Sequence, residues 1–322
     1  MKRKTSFTFY LFLFFFLFLF KKNIFASSWI KYQNNPIIPN SETQFYSANY
    51  RNPSVLYENG KYKMWADKLL STNNQWVITY LESNDGIHWQ EINPEGVLSP
   101  TNENNIIETG VYEPFVIKTD QYNMWYNSED NNNIYKIRHA VSPDGIHWQK
   151  DLNYALVGEK AWEDKGVTHP AVLYHNGLYY LFYAGWGKNY GNPWRLGLAT
   201  SADGNIWEKH PNNPLTLSNN LGHVGGFFVE FKDNQFYIYY HTGGSYATSF
   251  YYAVSSDGIN WSCPENDCLI LQNNGDFEST MIISPHIVRT ENNSFLYYTG
   301  YNNSQWQIGL ATEKPLNLTP TP

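Results

Sequence analysis

The motif Ser-x-Asp-Gly-x-x-Trp occurs four times in this 322-residue chain, and its spacing limits the possible folds more than any other feature. The copies are Ser83–Trp89, Ser142–Trp148, Ser201–Trp207 and Ser255–Trp261, with tryptophans 59, 59 and 54 residues apart. A long fixed period marks a repeat architecture, in which each unit buries its apolar face against its neighbours. Asp-Gly suits a tight turn, because glycine accepts positive φ and aspartate bonds its own backbone. The tryptophan brings a large apolar face for packing between twisted sheets. The four aspartates are therefore read as structural.

Strand-like runs precede each signature. In the first repeat Pro53–Tyr57 and Lys61–Trp65 flank Glu58-Asn59-Gly60, and in the third Pro170–Tyr174 and Leu178–Tyr183 flank His175-Asn176-Gly177. Asn-Gly between alternating apolar runs is a strong hairpin signal. A third run follows, such as Trp194–Thr200, and the Asp-Gly turn leads into a fourth strand expected to hold the Trp. The second repeat uses Pro114–Lys118, Tyr122–Tyr126 and Tyr135–Val141; the fourth uses Phe228–Phe231, Phe236–Tyr240 and Phe250–Val254. A fifth set, Pro285–Arg289, Phe295–Tyr298 and Trp306–Thr312, lacks the signature, and Trp29–Pro36 is expected to supply its outer strand. The expectation is all-β: a five-bladed β-propeller with four antiparallel strands per blade, in one domain over residues 27–322.

Residues 1–26 stand apart. Lys2, Arg3 and Lys4 precede the unbroken Leu/Phe run Leu11–Phe20, the pattern of a secretory signal peptide with Ala26 as its last residue. A secreted or periplasmic protein is expected. Without that segment 17 basic face 29 acidic residues, a net charge of −12, which disfavours nucleic acid as a partner. No membrane association beyond the export signal is expected, and the oligomeric state is left open. In an exported chain Cys263 and Cys268, the only cysteines, are expected to pair. Neither a dinucleotide-binding Gly-x-Gly-x-x-Gly nor a phosphate-loop motif occurs, so no cofactor is expected.

Repeating a hairpin around an axis gathers its first-strand starts and second-strand ends at one mouth. Those positions hold Arg51, Asn52, Glu113, His169, Asp67, Trp186, His241 and Tyr301, with His286 just inside. Acids, imidazoles, amides and aromatics together suit a polyhydroxylated ligand: rings stack on sugar C–H faces while polar groups take hydroxyls. Trp186 and Tyr301 are the stacking candidates. Trp76, Tyr135, Trp194 and Trp306 share one repeat position and are read as packing between blades.

The Pro-x-Val-aromatic strand starts, Lys63-Met64-Trp65, Asn123-Met124-Trp125-Tyr126 and Gly197-Leu198-Ala199-Thr200-Ser201-x-Asp203-Gly204 resemble the five-bladed propeller glycosidases, glycoside hydrolase families 43, 32 and 130. The resemblance covers about residues 29–313. It implies carboxylates just before the prolines of the first three blades, serving as base or nucleophile, as modulator and as general acid. The matching residues are Asn52, Glu113 and His169, so only Glu113 keeps a carboxylate. An amide is no base, whereas a histidine titrates near neutrality and can exchange protons. Asp67 is the candidate replacement base. Glu230 breaks an otherwise apolar strand position and is a further binding candidate, and Glu163 and Glu278 are candidates at the rim. A central calcium ion, as some relatives hold, would draw on His223, His241 and His286, but no ligand spacing supports it. The leading expectation is a glycosidase-type hydrolase; the alternative is a glycan-binding propeller that lost its base at Asn52. A protein-interaction propeller would need an apolar mouth, and this one is polar.

Overall fold

The computed structural model describes residues 29–38, 49–103, 106–187, 194–217, 223–242, 247–264 and 268–316. The expected signal segment lies outside them. The described chain is all-β apart from two 3₁₀ turns, Ala161–Glu163 and Asp276–Glu278, and none of its helices is long and apolar enough to cross a membrane. It runs as successive antiparallel meanders. Tyr50–Glu58, Lys61–Leu70, Gln75–Ser83 and Gln90–Glu91 form one sheet, and Gly225–Lys232, Gln235–His241, Ser249–Ser255 and Leu269–Gln272 form another. Between them in sequence lie Gly110–Lys118 to Gln149–Leu156 and Gly166–His175 to Glu208–Lys209. These two meanders join into one eight-stranded sheet through a single parallel pair, Tyr135 with Gly166. Met281–Arg289, Ser294–Tyr301 and Trp306–Thr312 take their fourth strand from Ile30–Lys31, so the start of the described chain completes its last sheet.

The first strands pack in cyclic order. Tyr50–Glu58, Gly110–Lys118, Gly166–His175, Gly225–Lys232 and Met281–Arg289 each contact the next, and the last contacts the first. Phe115, Phe228 and His286 meet between them, with ring centroids 4.7–6.4 Å apart. This aromatic plug divides the axis into two cavities, both of which Phe115 and His286 line.

The signature turns use their side chains on themselves. At Ser142-Pro-Asp-Gly the Ser142 hydroxyl accepts the Gly145 amide at 2.8 Å, and Asp144 Oδ1 accepts the Ile146 and His147 amides, both at 2.9 Å. The other three copies repeat these bonds. Gly145, at φ +83°, also lies against the Trp65 indole of the preceding unit, where a Cβ would come within 2.8 Å. Trp89, Trp148, Trp207 and Trp261 each meet an aromatic of the neighbouring unit edge-on, at interplanar angles of 77–85°. In all four copies the tryptophan precedes the outer strand rather than sitting in it, the strands beginning at Gln90, Gln149, Glu208 and Leu269. Cys263 and Cys268 are disulfide-bonded.

Candidate active site

Every first strand has a bulge in the same place. Pairing with the second strand shifts register between Arg51 and Ser54, Tyr112 and Phe115, Thr168 and Ala171, Gly225 and Phe227, and Ile283 and His286. The residue at each bulge is left-handed: Asn52, Glu113, His169, Gly226 and Ser284 have φ between +47° and +54°. Four of the five precede proline and carry a Cβ, a combination that ordinarily favours extended backbone. Strain held at equivalent places around one axis is a marker of function. These five residues line a narrow cavity of about 30 Å³ above the plug.

The bulges are fixed by side chains that reach across unit boundaries. The Asn52 amide donates to Thr299 Oγ1 at 2.8 Å, the Glu113 amide to Asp67 Oδ1 at 2.7 Å, and the Ser284 amide to His241 Nδ1 at 3.4 Å. The His169 amide donates to Glu113 Oε2 at 2.8 Å. Glu113 is thus held by its own backbone and in turn holds the next unit.

Arg51, Asn52, Asp67, Glu113 and His169 are brought together as expected, but their roles differ. Asp67 is fully buried, and its Oδ2 accepts Arg51 Nε at 2.9 Å and Asn52 Nδ2 at 2.7 Å. With three donors on two oxygens and no opening to the cavity, Asp67 positions Glu113 rather than serving as a base. Burial pushes its pKa up to about 7 although Arg51 works against the shift. Glu113 keeps 16% of its side chain exposed and is the carboxylate lining the cavity. Burial raises its pKa, opposed by the His169 amide, Arg51 and the Asn127 amide, whose Nδ2 lies 3.0 Å away.

His169 is no proton donor in this arrangement. Burial, and then Arg51, lower its pKa to about 3, so the ring is neutral near pH 7. Its Nδ1 takes the Thr168 hydroxyl, and its Nε2 lies 3.2 Å from Glu113 Oε1, to which it donates. His223 and His241 have the same tautomer. The His223 Nδ1 accepts the Trp194 amide at 2.9 Å and the His241 Nδ1 accepts the Ser284 amide, leaving each ring a donor at Nε2. Among the described residues those two Nε2 atoms are buried without a partner. A ring committed in this way offers an N–H, not the lone pair a cation needs. His286 donates Nε2 to the Val55 carbonyl at 3.0 Å and belongs to the plug, at the floor of the cavity.

The aromatics read as packing between blades do pack across unit boundaries, Trp76 on Tyr112, Tyr135 on Trp186 and Trp194 on His241, and they do so at the mouth end of the strands. The Arg51 guanidinium lies 3.8 Å above the Trp76 ring and 5.8 Å from Trp306, and Tyr301 stacks on Trp306 at 4.3 Å. Trp194 packs 4.6 Å from His169 and stacks on His223. Trp186 lies 5.8 Å from Tyr135. The other acidic candidates are elsewhere. Glu230 sits at the opposite end of the axis, bound by Arg289 at 2.7 and 2.8 Å and by the Tyr239 hydroxyl at 2.8 Å. It is polar because it pairs with arginine in the adjacent unit. Glu163 and Glu278 are completely buried, the first bonded to Lys209 at 2.5 Å and the second to Lys31.

Comparison with known proteins shows what the chain resembles. The family model described as beta-1,4-mannooligosaccharide phosphorylase matches residues 122–279, and that of the glycosyl hydrolases family 32 N-terminal domain matches residues 17–113. Solved structures share the fold. A glycosyl hydrolase from Bacteroides ovatus superposes with a TM-score of 0.68 at 18% identity, over 92% of this chain and 97% of that one. A structure from work on the mannoside phosphorylase family and its β-1,2-mannoside hydrolases gives 0.65 at 17% identity, over 91% and 96%. The chain thus resembles the propeller glycoside hydrolases and phosphorylases, as a divergent branch.

Among individual proteins it is 25% identical over 182 residues to a 1,2-beta-oligomannan phosphorylase of a Thermoanaerobacter species, covering 55% of this chain and 57% of that protein. It is 26% identical over 163 residues to an uncharacterised protein of Mycobacterium tuberculosis, covering 47% and 50%. The match spans about half the length of these curated relatives.

Proposed function

We propose that the cyclic meanders form a five-bladed β-propeller, exported after removal of residues 1–26, that cleaves a glycosidic bond of an oligosaccharide at the Glu113 mouth. One observation carries this reading: Glu113 is the carboxylate of the strained ring that opens to the cavity, and burial holds its pKa above the ordinary range. A carboxyl that burial makes hold its proton more tightly than usual can give that proton to the leaving glycosidic oxygen as the C–O bond breaks.

Hydrolysis by the usual route needs a second carboxylate to activate water or attack carbon. Asn52 stands at that position and Asp67 is sealed beneath it. The geometry therefore favours an acceptor that is already a nucleophile. Inorganic phosphate is one: its oxygen attacks the anomeric carbon, yielding a glycosyl phosphate and leaving Glu113 to be reprotonated. The phosphorylases among the relatives make mannosides the first substrates to try. Trp76, Trp306 and Tyr301 supply stacking faces, and His223 and His241 supply N–H donors for oxygen acceptors.

The second reading is a non-catalytic glycan-binding propeller, favoured by the same loss of a base at Asn52. Incubating the protein without its leader with β-1,2- and β-1,4-linked mannooligosaccharides, with and without phosphate, separates the readings. The proposal expects glycosyl phosphate only when phosphate is present. Release of free sugar at equal rates without phosphate points to hydrolysis. Binding without turnover in either condition leaves the binding reading.

A further inference from the structure

A groove at the opposite end of the molecule is left unused by this chemistry. It has a volume of about 850 Å³ and runs between the first and last meanders, where Tyr57 and Tyr62 face Glu291, Asn292, Phe295 and Lys314. Asn52 and Tyr57 share one strand five residues apart, so the groove lies about 17 Å from the mouth. The Phe115–Phe228–His286 plug closes the axis between the two.

Its walls suit a neutral sugar chain. Tyr57 leaves 44% of its surface exposed, and its ring is backed by Tyr62 at 4.6 Å, which in turn meets Phe295 at 5.3 Å. A supported, half-exposed ring is a stacking face for sugar C–H groups, held in place at little entropic cost. Beside it, Glu291 and Asn292 are exposed, and among the described residues neither side chain has a hydrogen-bond partner. Lys314 lies across from them, its Nζ donating to the Asn292 carbonyl at 2.7 Å. One acid and one base leave little net charge, while amide and carboxylate offer both donors and acceptors for hydroxyls. Tyr57 also borders the lower axial cavity of about 510 Å³, so the concave surface continues toward the axis.

We propose that this groove is a second, non-catalytic binding site for a neutral oligosaccharide, which anchors a longer glycan while the mouth acts on another part of it or on a neighbouring chain. The inference rests on the proposed reading of this chain as a glycan-active protein. The test is calorimetric titration with β-1,4-mannohexaose of the wild type, Tyr57→Ala, Asn292→Ala and Glu113→Gln, with turnover of mannobiose followed in parallel. The wild type and Glu113→Gln should show two binding events. Tyr57→Ala should lose or weaken one of them by about tenfold, the scale of a lost stacking contact, and Asn292→Ala should weaken the same event less. Mannobiose turnover should stay at the wild-type rate in both groove variants, which also shows that they are folded. A single event that persists in Tyr57→Ala and Asn292→Ala overturns the groove while leaving the mouth chemistry standing. Two events without turnover, one of them weakened in Tyr57→Ala, uphold the groove and refute the enzyme, whereas two events unchanged in both groove variants overturn the groove. Absence of binding to the wild type overturns the groove.

Discussion

The Ser-Asp-Gly turns and the pre-proline bulges are both repeated backbone devices, yet they treat side chains in opposite ways. At the turns the four units use the same residues, and each Ser and Asp is consumed by amides two or three positions away. At the bulges all five units share a left-handed φ near +50°, but the side chains are Asn52, Glu113, His169, Gly226 and Ser284. Sameness there is a matter of backbone alone. A repeat makes copies of a scaffold position, and different side chains at those copies, converging on one axis, make a site.

The comparison breaks most readily at Glu113. Glu113→Gln keeps the shape but removes the proton, and its amide nitrogen can no longer accept where one carboxylate oxygen did, so turnover should fall by about 10²–10⁴-fold with oligosaccharide binding retained. Steady-state rates and calorimetry check this, and activity within a few-fold of wild type would move the chemistry elsewhere. The contrasting variant is Asp144→Ala at a signature turn, which should leave the rate unchanged.

Next in size is Asp67. Asp67→Ala strands Arg51, the Asn52 amide and the Glu113 N–H together, and should cost about 3–5 kcal/mol in denaturant unfolding, as expected for one partner removed from a buried ion pair. A loss below about 1 kcal/mol would mean the carboxylate is not the keystone drawn above.

The pH dependence sharpens the same point. Burial lowers His169 and His286 to about 3 and holds His241 well below its ordinary value. Their unfolded forms protonate near 6.5, so each withdraws stability as pH falls from about 6.5 toward 3. Asp67 has the opposite sign: with its folded pKa near 7 and an ordinary value of 3.8, its contribution is complete below about pH 4 and is lost as pH rises through 7. The imidazoles outnumber it, so the wild type should lose stability on acidification. Asp67→Asn, which removes one of the two raised carboxyls that oppose them (Glu113 being the other), should lose it more steeply. Urea midpoints at several pH values between 4 and 8 decide this; a shallower slope in the variant would refute it. The smallest effect belongs to the turns. Ser142→Ala should cost about 1 kcal/mol, as loss of a local cap does, with no change in pH slope.

The scaffold was legible in the sequence because its signals are local. Asn59-Gly60 and His175-Asn176-Gly177 mark hairpins by turn chemistry alone, and the Trp29 segment was recognisable as an outer strand because the last repeat lacked one. Candidate positions were legible for a related reason, since Pro53, Pro114 and Pro170 mark equivalent strand starts. Roles were not. Whether Asp67 faces a ligand or caps the Glu113 amide depends on a bulge in a different unit, 46 residues along the chain. Thr299 holding Asn52 is a contact across 247 residues, made only when the last unit packs on the first. Glu230 was misplaced because a polar residue in an apolar strand marks a partner without saying at which end of the axis it lies. The shared repeat position of Trp76, Trp194 and Trp306 points to packing between units, which the structure has, but it does not say that this packing lies at the mouth end of the strands.

In the proposed reaction the glycosidic bond to be broken is presented to Glu113 within the ring of bulges. The most direct test is a crystal structure of Glu113→Gln soaked with mannooligosaccharide and phosphate. A glycosidic oxygen should lie within hydrogen-bond distance of the residue 113 side chain, with sugar rings against Trp76, Trp306 or Tyr301. A mouth left empty while sugar occupies only other surfaces of the molecule would contradict it.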